Sequence, residues 1–339
     1  MAASVSRKQF LAGAGAAAGL ALLAPRPARA ARQYVFKLGL DLAADHPTTV
    51  HAIAAAARIK TATNNAVRVD VFPNSELGDD THMLSEVRSG AIQMMAIGDN
   101  ILSSLVPSAA ISNVGFAFKT AATAWQALDG ALGDTVRADI AKTGLMPMHR
   151  IWDEGFRQVT TSGKPIKTPA DLKGFKIRVP PSPISLSLFK DLGAAPATIN
   201  AAELYTALQT RVVDGQENPL GNIETMKLYQ VQKYVSLTNH MWVGYWMLVN
   251  AAFWRALPAD LQKAVSDAFD TEAVAQRAAN QQLDDSLEGK LKSQGLAFDV
   301  TDPAAFRDVL VKAGFYKEWQ GKFGPAQWAA LEKYAGPLA

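Results

Sequence analysis

The sequence predicts an α/β protein of two domains, and three observations carry that prediction. Strand-like and helix-like segments alternate twice along the chain, once over residues 34–97 and again over residues 156–213. At roughly 150 residues per domain, a length of 339 residues has room for two. Finally, no Gly or Pro interrupts the stretch between Pro258 and Gly289, where Leu261, Val265, Phe269, Val274, Leu283 and Leu287 keep near-helical spacing. A helix of about 30 residues is ~45 Å long, more than one small domain requires, so it is expected to brace both.

The first 30 residues read as an export signal. Arg7 and Lys8 precede the apolar Phe10 to Ala24, and Ala28-Arg29-Ala30 supplies a small-residue cleavage site, which puts the mature start near Ala31. The segment Ser6-Arg7-Lys8-Gln9-Phe10-Leu11 resembles a twin-arginine signal with Lys in the second basic position. The alternative, an uncleaved anchor, needs about 20 apolar residues to span a bilayer, more than this stretch offers.

In the body of the chain, Tyr34 to Leu40 reads as a buried strand, Ala52 to Lys60 as an Ala-rich helix, and Val67 to Val71 alternates with period two. Thr81 to Ser89 is helical, and the continuous apolar run Ala91 to Ile97 suits a parallel strand packed on both faces. A helical region from Thr120 to Lys142 leads to strand character over Leu145 to Trp152. The second unit opens with a strand at Phe156 to Thr161, a turn at Pro169 to Leu172 and a strand at Lys176 to Val179 that Pro180-Pro181 stops. Helices follow over Ser182 to Leu192 and Ala201 to Arg211, then a strand at Val212-Val213 and a turn at Asp214-Gly215. Strands at Val235 to Thr238 and Tyr245 to Val249 flank His240-Met241-Trp242, where the chain is expected to cross between domains.

Composition removes several chemistries. Cys is absent, which excludes disulfides, thiolate metal sites and cysteine nucleophiles. The formal charge of +3 falls to −1 once the four bases of residues 1–30 are removed, because 34 basic residues become 30 against 31 acidic ones. A near-neutral chain without clustered Lys and Arg lacks the field that gathers nucleic acid. Serine-hydrolase, zincin, EF-hand and P-loop patterns are missing. Of the five His, only His46 and His51 are close in sequence, at a spacing that does not align two ligands on one helical face, so no metal is expected.

The remaining candidates are polar and aromatic. In Lys176-Ile177-Arg178-Val179, Ile177 and Val179 share one strand face and Arg178 lies on the other, at the carboxyl end where ligands sit in open α/β sheets. Its planar fork can hold a carboxylate with two parallel hydrogen bonds; the alternative is a solvated Arg on an edge strand. Arg157 lies on a neighbouring strand beside hydroxyl and amide groups and could share the same anion. Asn218, before Pro219, reads either as a polar contact or as a plain helix N-cap. Trp152, Trp242 and Trp246 lie beside the expected crossings and could wall an interdomain cleft or pack in the hinge and core. Tyr245 is assigned to packing.

The segments Thr160-Thr161-Ser162-Gly163-Lys164-Pro165, Asp171-Leu172-Lys173-Gly174-Phe175-Lys176-Ile177-Arg178-Val179, Leu204-Tyr205-Thr206-Ala207-Leu208-Gln209 and Val213-Asp214-Gly215-Gln216-Glu217-Asn218-Pro219 resemble the DctP-type solute receptors of tripartite ATP-independent periplasmic (TRAP) transporters. Weaker similarity begins near Asn74-Ser75-Glu76-Leu77-Gly78. The resemblance implies a periplasmic-binding-protein fold with crossing hinge strands, a long helix along both domains, and a cleft that closes on a small organic acid for delivery to a membrane permease. It implies Arg178 as the carboxylate anchor, Arg157 as a second basic contact and Asn218 as a polar contact from the facing turn. No cofactor and no covalent chemistry are implied. Where metal-using members carry an acidic and aromatic turn, this chain has Gly215-Gln216-Glu217-Asn218, so no metal is expected on this count either. The expected partition is residues 31–154 with 243–282 in one domain and 155–242 with 283–339 in the other. Two rivals follow from the same residues: a periplasmic enzyme using His149 or Glu154 as a base, and a sensor subunit that presents its closed form to a membrane kinase.

Overall fold

The computed structural model of the protein describes residues 33–338; the expected export signal and its cleavage site lie outside them. Among the described residues no helix is long and apolar enough to cross a membrane. The chain begins with β1 (Tyr34–Gly39), α1 (Pro47–Ala62), β2 (Val67–Phe72), α2 (Asp80–Ser89), β3 (Met94–Gly98) and α3 (Asp99–Leu102). After a 3-10 turn at Pro107–Asn113 come α4 (Ala121–Asp129), α5 (Ala131–Ala141), β4 (Leu145–Pro147) and β5 (Trp152–Phe156). A second run holds β6 (Gln158–Thr161), β7 (Lys176–Val179), α6 (Pro183–Asp191), β8 (Ala195–Thr198), α7 (Ala201–Gln209), β9 (Gly215–Asn218), α8 (Leu220–Thr225) and β10 (Tyr234–Leu237). The chain then returns through β11 (Trp242–Asn250), α9 (Ala251–Ala256) and α10 (Ala259–Ser293), and ends with β12 (Ala297–Val300), α11 (Pro303–Ala313), α12 (Phe315–Phe323) and α13 (Pro325–Ala335).

These strands form two sheets. The first has the order β2-β1-β3-β11-β4, with β5 also paired to β11; the second has the order β12-β10-β6-β9-β7-β8. β1 runs parallel to β2 and β3, whereas β11 enters antiparallel between β3 and β4. All nine residues of β11 are buried, and they alternate: Trp246 and Leu248 join one apolar cluster, Tyr245, Met247 and Val249 another. The first cluster continues into the second sheet through Val159, Ile177 and Val179, so one core underlies both sheets.

Two strands cross between the sheets. β5 and β6 are separated by Arg157 alone, and β10 and β11 by residues 238–241. The crossings are tied together: Arg157 N donates to Met241 O at 2.8 Å, and the Gln158 and Asn239 side chains bond at 2.6 Å. The third link is α10, 35 residues and about 52 Å long at 1.5 Å per residue. Its middle is fixed to β5 by Gln276, which accepts from Asp153 N and donates to Asp153 O, and by Asn280, which donates to Asp153 Oδ2. Arg277 forks onto Asp129 at 2.9 and 2.7 Å, tying the same stretch to the end of α4. Farther along, α10 packs on α8, where Lys290 pairs with Glu224 at 2.7 Å.

Several expected elements shift. The long helix runs through Gly289 and stops before Gly295, whose φ of +99° supplies the left-handed conformation that ends helices. The region 120–142 splits into α4 and α5 at Gly130, whose extended backbone (φ −101°, ψ −153°) interrupts the helical run. Residues 145–152 form the short β4 and the start of β5 instead of one strand. The strand expected at Val212-Val213 lies instead at Gly215–Asn218, four polar or small residues buried between β6 and β7. At the carboxyl end, α11 packs on α6 while α13 packs on α4 and α5, so the last helices touch the elements of both sheets.

Candidate functional site

The two sheets face each other across a narrow cavity of about 20 Å³. Asp41 follows β1 and Asn100 follows β3, while Arg178 and Asn218 stand at the ends of β7 and β9, so the carboxyl ends of both sheets converge there. Glu154 of β5 and Tyr245 of β11 form the floor between them, and Asn222 of α8 closes one side. The lips meet where Asn200 Nδ2 donates to Asp79 Oδ2 at 3.2 Å.

Arg178 dominates the electrostatics. β7 pairs with β9 on one side and β8 on the other, so Arg178 is on an inner strand and not on an edge. Ile177 and Val179 point into the apolar core, which turns Arg178 toward the cavity. The side chain is 2% exposed, and its Nε donates to Ile199 O at 2.7 Å. Among the described residues that is its one hydrogen bond, and no carboxylate comes within 4 Å of it. Burial pulls its pKa down to about 10, against the opposing influence of Glu217. A buried guanidinium without a counter-ion is unfavourable, and a bound anion relieves it.

Arg157 stands differently. Its Nε and Nη2 fork onto the Glu217 carboxylate, Nη2 also reaches Glu217 O and Asn218 Oδ1, and Nη1 lies 3.3 Å from Glu154 Oε2. The charge of Glu217 holds the guanidinium firmly protonated despite burial. In return, Arg157 and His240 bring the Glu217 carboxyl down to about 2, against the upward push of burial. His240 presents Nε2 to Glu217 at 3.1 Å and Nδ1 to Thr238 at 2.8 Å, with the Phe189 ring edge-on 5.1 Å away. Arg157 therefore lines the cavity with its charge already balanced, at the residue where the chain crosses. Asn218 is not an N-cap: it ends β9, and Pro219 precedes α8 as the cap residue. Its Nδ2 donates to Gln216 Oε1 at 2.5 Å, and both its polar atoms are committed to positioning neighbours.

Acids outnumber free cations around the cavity. Burial pushes Glu154 up to about 8, though Arg157 lies beside it and Asn222 Nδ2 donates to Oε1 at 2.8 Å. Asp41 is raised by burial as well, while Tyr245 Oη donates to its Oδ1 at 2.9 Å. Behind Asp41, Asp80 in the first turn of α2 is 1% exposed with neither oxygen hydrogen-bonded; burial and the charge of Asp41 raise it well above the usual carboxylate range. Asn100 accepts from Ile101 N through Oδ1, while its buried Nδ2 has no acceptor.

The three tryptophans do not line this cavity. Trp152 packs at a tilt against Phe269 beneath the first sheet, Trp246 lies in the core under the Arg137 guanidinium, and Trp242 donates to Asp153 Oδ1 at 2.7 Å with Phe118 edge-on. Each indole is buried in the core away from the cavity. Tyr245, assigned to packing from the sequence, reaches the cavity because its hydroxyl finds Asp41. Asp99 is also occupied elsewhere, accepting from Ser112, Asn113 and Gly244. His149 is exposed on the surface and is not part of the cavity wall. Among the described residues no group of three or more His, Asp or Glu is arranged to hold a metal ion.

Residues 39–314 match the profile of bacterial extracellular solute-binding protein family 7. The 2,3-diketo-L-gulonate-binding periplasmic protein of Escherichia coli is 35% identical over 73% of this chain and 76% of its own. An uncharacterized protein of Sinorhizobium fredii is 38% identical over 76% of this chain, which spans about half (48%) of that longer protein. The crystal structure of a TRAP periplasmic solute-binding protein from Sulfurospirillum deleyianum with bound succinate superposes with a TM-score of 0.83 at 28% identity, covering 90% of this chain and 99% of that one.

Proposed function

Because the chain belongs to bacterial extracellular solute-binding protein family 7, we propose that it is a periplasmic receptor that captures a small organic carboxylate in the cavity and delivers it to a TRAP-type membrane permease. The observation that carries this reading is Arg178, a buried guanidinium with two terminal nitrogens turned to the cavity and no protein acid to pair with. A carboxylate there accepts two parallel N–H bonds and supplies the missing charge.

Capture is coupled to closure. The ligand would touch Arg178 from the second sheet and Glu154, Asn100 and Tyr245 from the first, so it binds the closed form better than the open one and shifts the population by that difference. Arg157 and Asn218 hold the cavity in shape, and Trp152, Trp242 and Trp246 stiffen the crossing behind it. We take the moving bodies to be residues 31–154 with 243–282 and residues 155–242 with 283–339. The reading is of binding without turnover: the acid leaves as it arrived.

Thermal melts of the protein, first unfolded and refolded to strip carried-over ligand, against C3 to C8 carboxylates test this. A ligand at 1,000 times its dissociation constant adds about 4 kcal/mol of stability. A selective shift that Arg178→Ala removes, with the acid recovered chemically unchanged, supports the reading. A selective shift that survives Arg178→Ala refutes the anchor, and conversion of the acid refutes simple capture.

A further inference from the structure

We propose that the cavity selects an acid with a single carboxylate and an uncharged, hydroxylated tail, that Asp41 and Glu154 reject a second carboxylate, and that Asn100 and Glu154 hold the hydroxyl groups. The inference rests on carboxylate capture by Arg178 and goes beyond it to the rest of the ligand.

The first ground is a balance of charges. Arg157 is already forked onto Glu217, so one cation is left over, and one cation suits one carboxylate. Away from Arg178 the wall is acidic: Asp41 and Glu154 line it, and Asp80 lies behind Asp41. A dicarboxylate anchored at Arg178 would carry its far charge into a closed, poorly solvated space beside Asp41 and Glu154, where no second free cation lines the cavity to pair with it.

The second ground is the set of polar atoms awaiting partners. Asn100 Nδ2 is a buried donor without an acceptor, so the tail must bring an oxygen to it; an ammonium group has no lone pair to offer. Glu154 keeps acceptor capacity beyond its bond from Asn222, and near neutrality burial leaves it mostly protonated, able to donate as well. A hydroxyl both donates and accepts, and so meets both neighbours. An unsubstituted hydrocarbon tail would leave the Asn100 amide donor buried and unpaired, and sites built to bond a hydroxyl discriminate strongly against analogues that lack it.

The test is calorimetric titration of the stripped protein with carbon-matched acids: D-erythronate, succinate, butyrate and 4-aminobutyrate at four carbons, and D-gluconate, adipate, hexanoate and 6-aminohexanoate at six. The hydroxylated acid of one length is expected to bind at least about tenfold more tightly than its three matched competitors. Asp41→Asn and Glu154→Gln, which are near-isosteric, are to be checked for cooperative melting. At least one is expected to narrow the gap to the diacid by about tenfold. If a matched diacid, amino acid or unsubstituted acid binds as tightly as the hydroxylated one, or neither variant narrows the gap, the selectivity is overturned. Carboxylate capture then survives provided Arg178→Ala still abolishes binding. If none of the eight acids binds, both readings fall.

Discussion

Replacing Arg178 by Met should separate two effects that usually travel together. In the ligand-free protein, burial has pulled the guanidinium well below its ordinary range, down to about 10. At about 1.4 kcal/mol per pKa unit, keeping that charge in the empty cavity is unfavourable by about 3 kcal/mol. Met fills similar volume without a charge, so the penalty disappears, while Ile199 O loses its donor at about 1 kcal/mol. The balance is about 2 kcal/mol in favour of the variant, a rise in melting temperature of several degrees at roughly 2–4 °C per kcal/mol for a chain of this size. Ligand binding moves the other way, losing about 2–5 kcal/mol as truncated buried charge pairs do. Paired thermal melts with and without the best acid of the panel read both numbers. A ligand-free variant that melts several degrees below the parent would mean that Arg178 is already satisfied by the protein, and the argument for an awaited anion would fail.

Other outcomes follow from the same geometry. The Glu217 carboxyl lies near 2 in the folded protein against 4.5 ordinarily, so its contribution, up to about 3 kcal/mol, is complete above pH 4.5 and is lost as pH falls toward 2. Chemical denaturation of Glu217→Gln and the parent across that window should show the difference shrinking with acid; a constant difference would exclude the ionised pair with Arg157. Glu154 has the opposite sign: raised to about 8, it holds a proton that the unfolded chain releases, so its stabilisation is full below pH 4.5 and fades as pH rises to 8. Glu154→Gln should flatten the fall in stability over that range by up to about 1.4 kcal/mol per pH unit, and an unaltered slope would count against it. Gly244→Ala would place a Cβ 2.5 Å from the Trp242 ring and 2.6 Å from Ile151 in the crossing strand. It is expected to destabilise by about 1–3 kcal/mol in urea unfolding, and a neutral result would show that the crossing has slack.

How much of this was legible in the sequence depends on what each residue had to announce. The apolar run ending at Ile97 and the uninterrupted stretch after Pro258 were read correctly as strand and helix, because burial on both faces and the absence of breakers are local properties. Arg178 was legible too, since period-two alternation with Ile177 and Val179 fixes the face it takes. The strand Gly215–Asn218 was read as a turn because its residues are polar. Its burial depends on Arg157 and Thr160, which lie 60 and 56 residues away and supply partners for Glu217 and Gln216. Asp41 carried no signal at all: the hydroxyl that holds it belongs to Tyr245, 204 residues distant. Aromatic size misled in the other direction, since the indoles at the crossing are core and the smaller phenol lines the cavity.

The position of β11 also governs the order in which the molecule can assemble. β3 and β4 are made early, yet the strand that joins them, Trp242–Asn250, is synthesised only after every strand from β6 to β10. Until residue 250 is available, β3 presents one edge with Met94, Met95 and Ile97 and nothing to pair with, the kind of exposed apolar edge that recruits other chains. Long-range pairing of this kind is slow, and the first half of the sequence is not a folding unit on its own. A fragment ending at Phe156 should therefore aggregate, and a growing chain must be shielded from its neighbours until most of its length has been made.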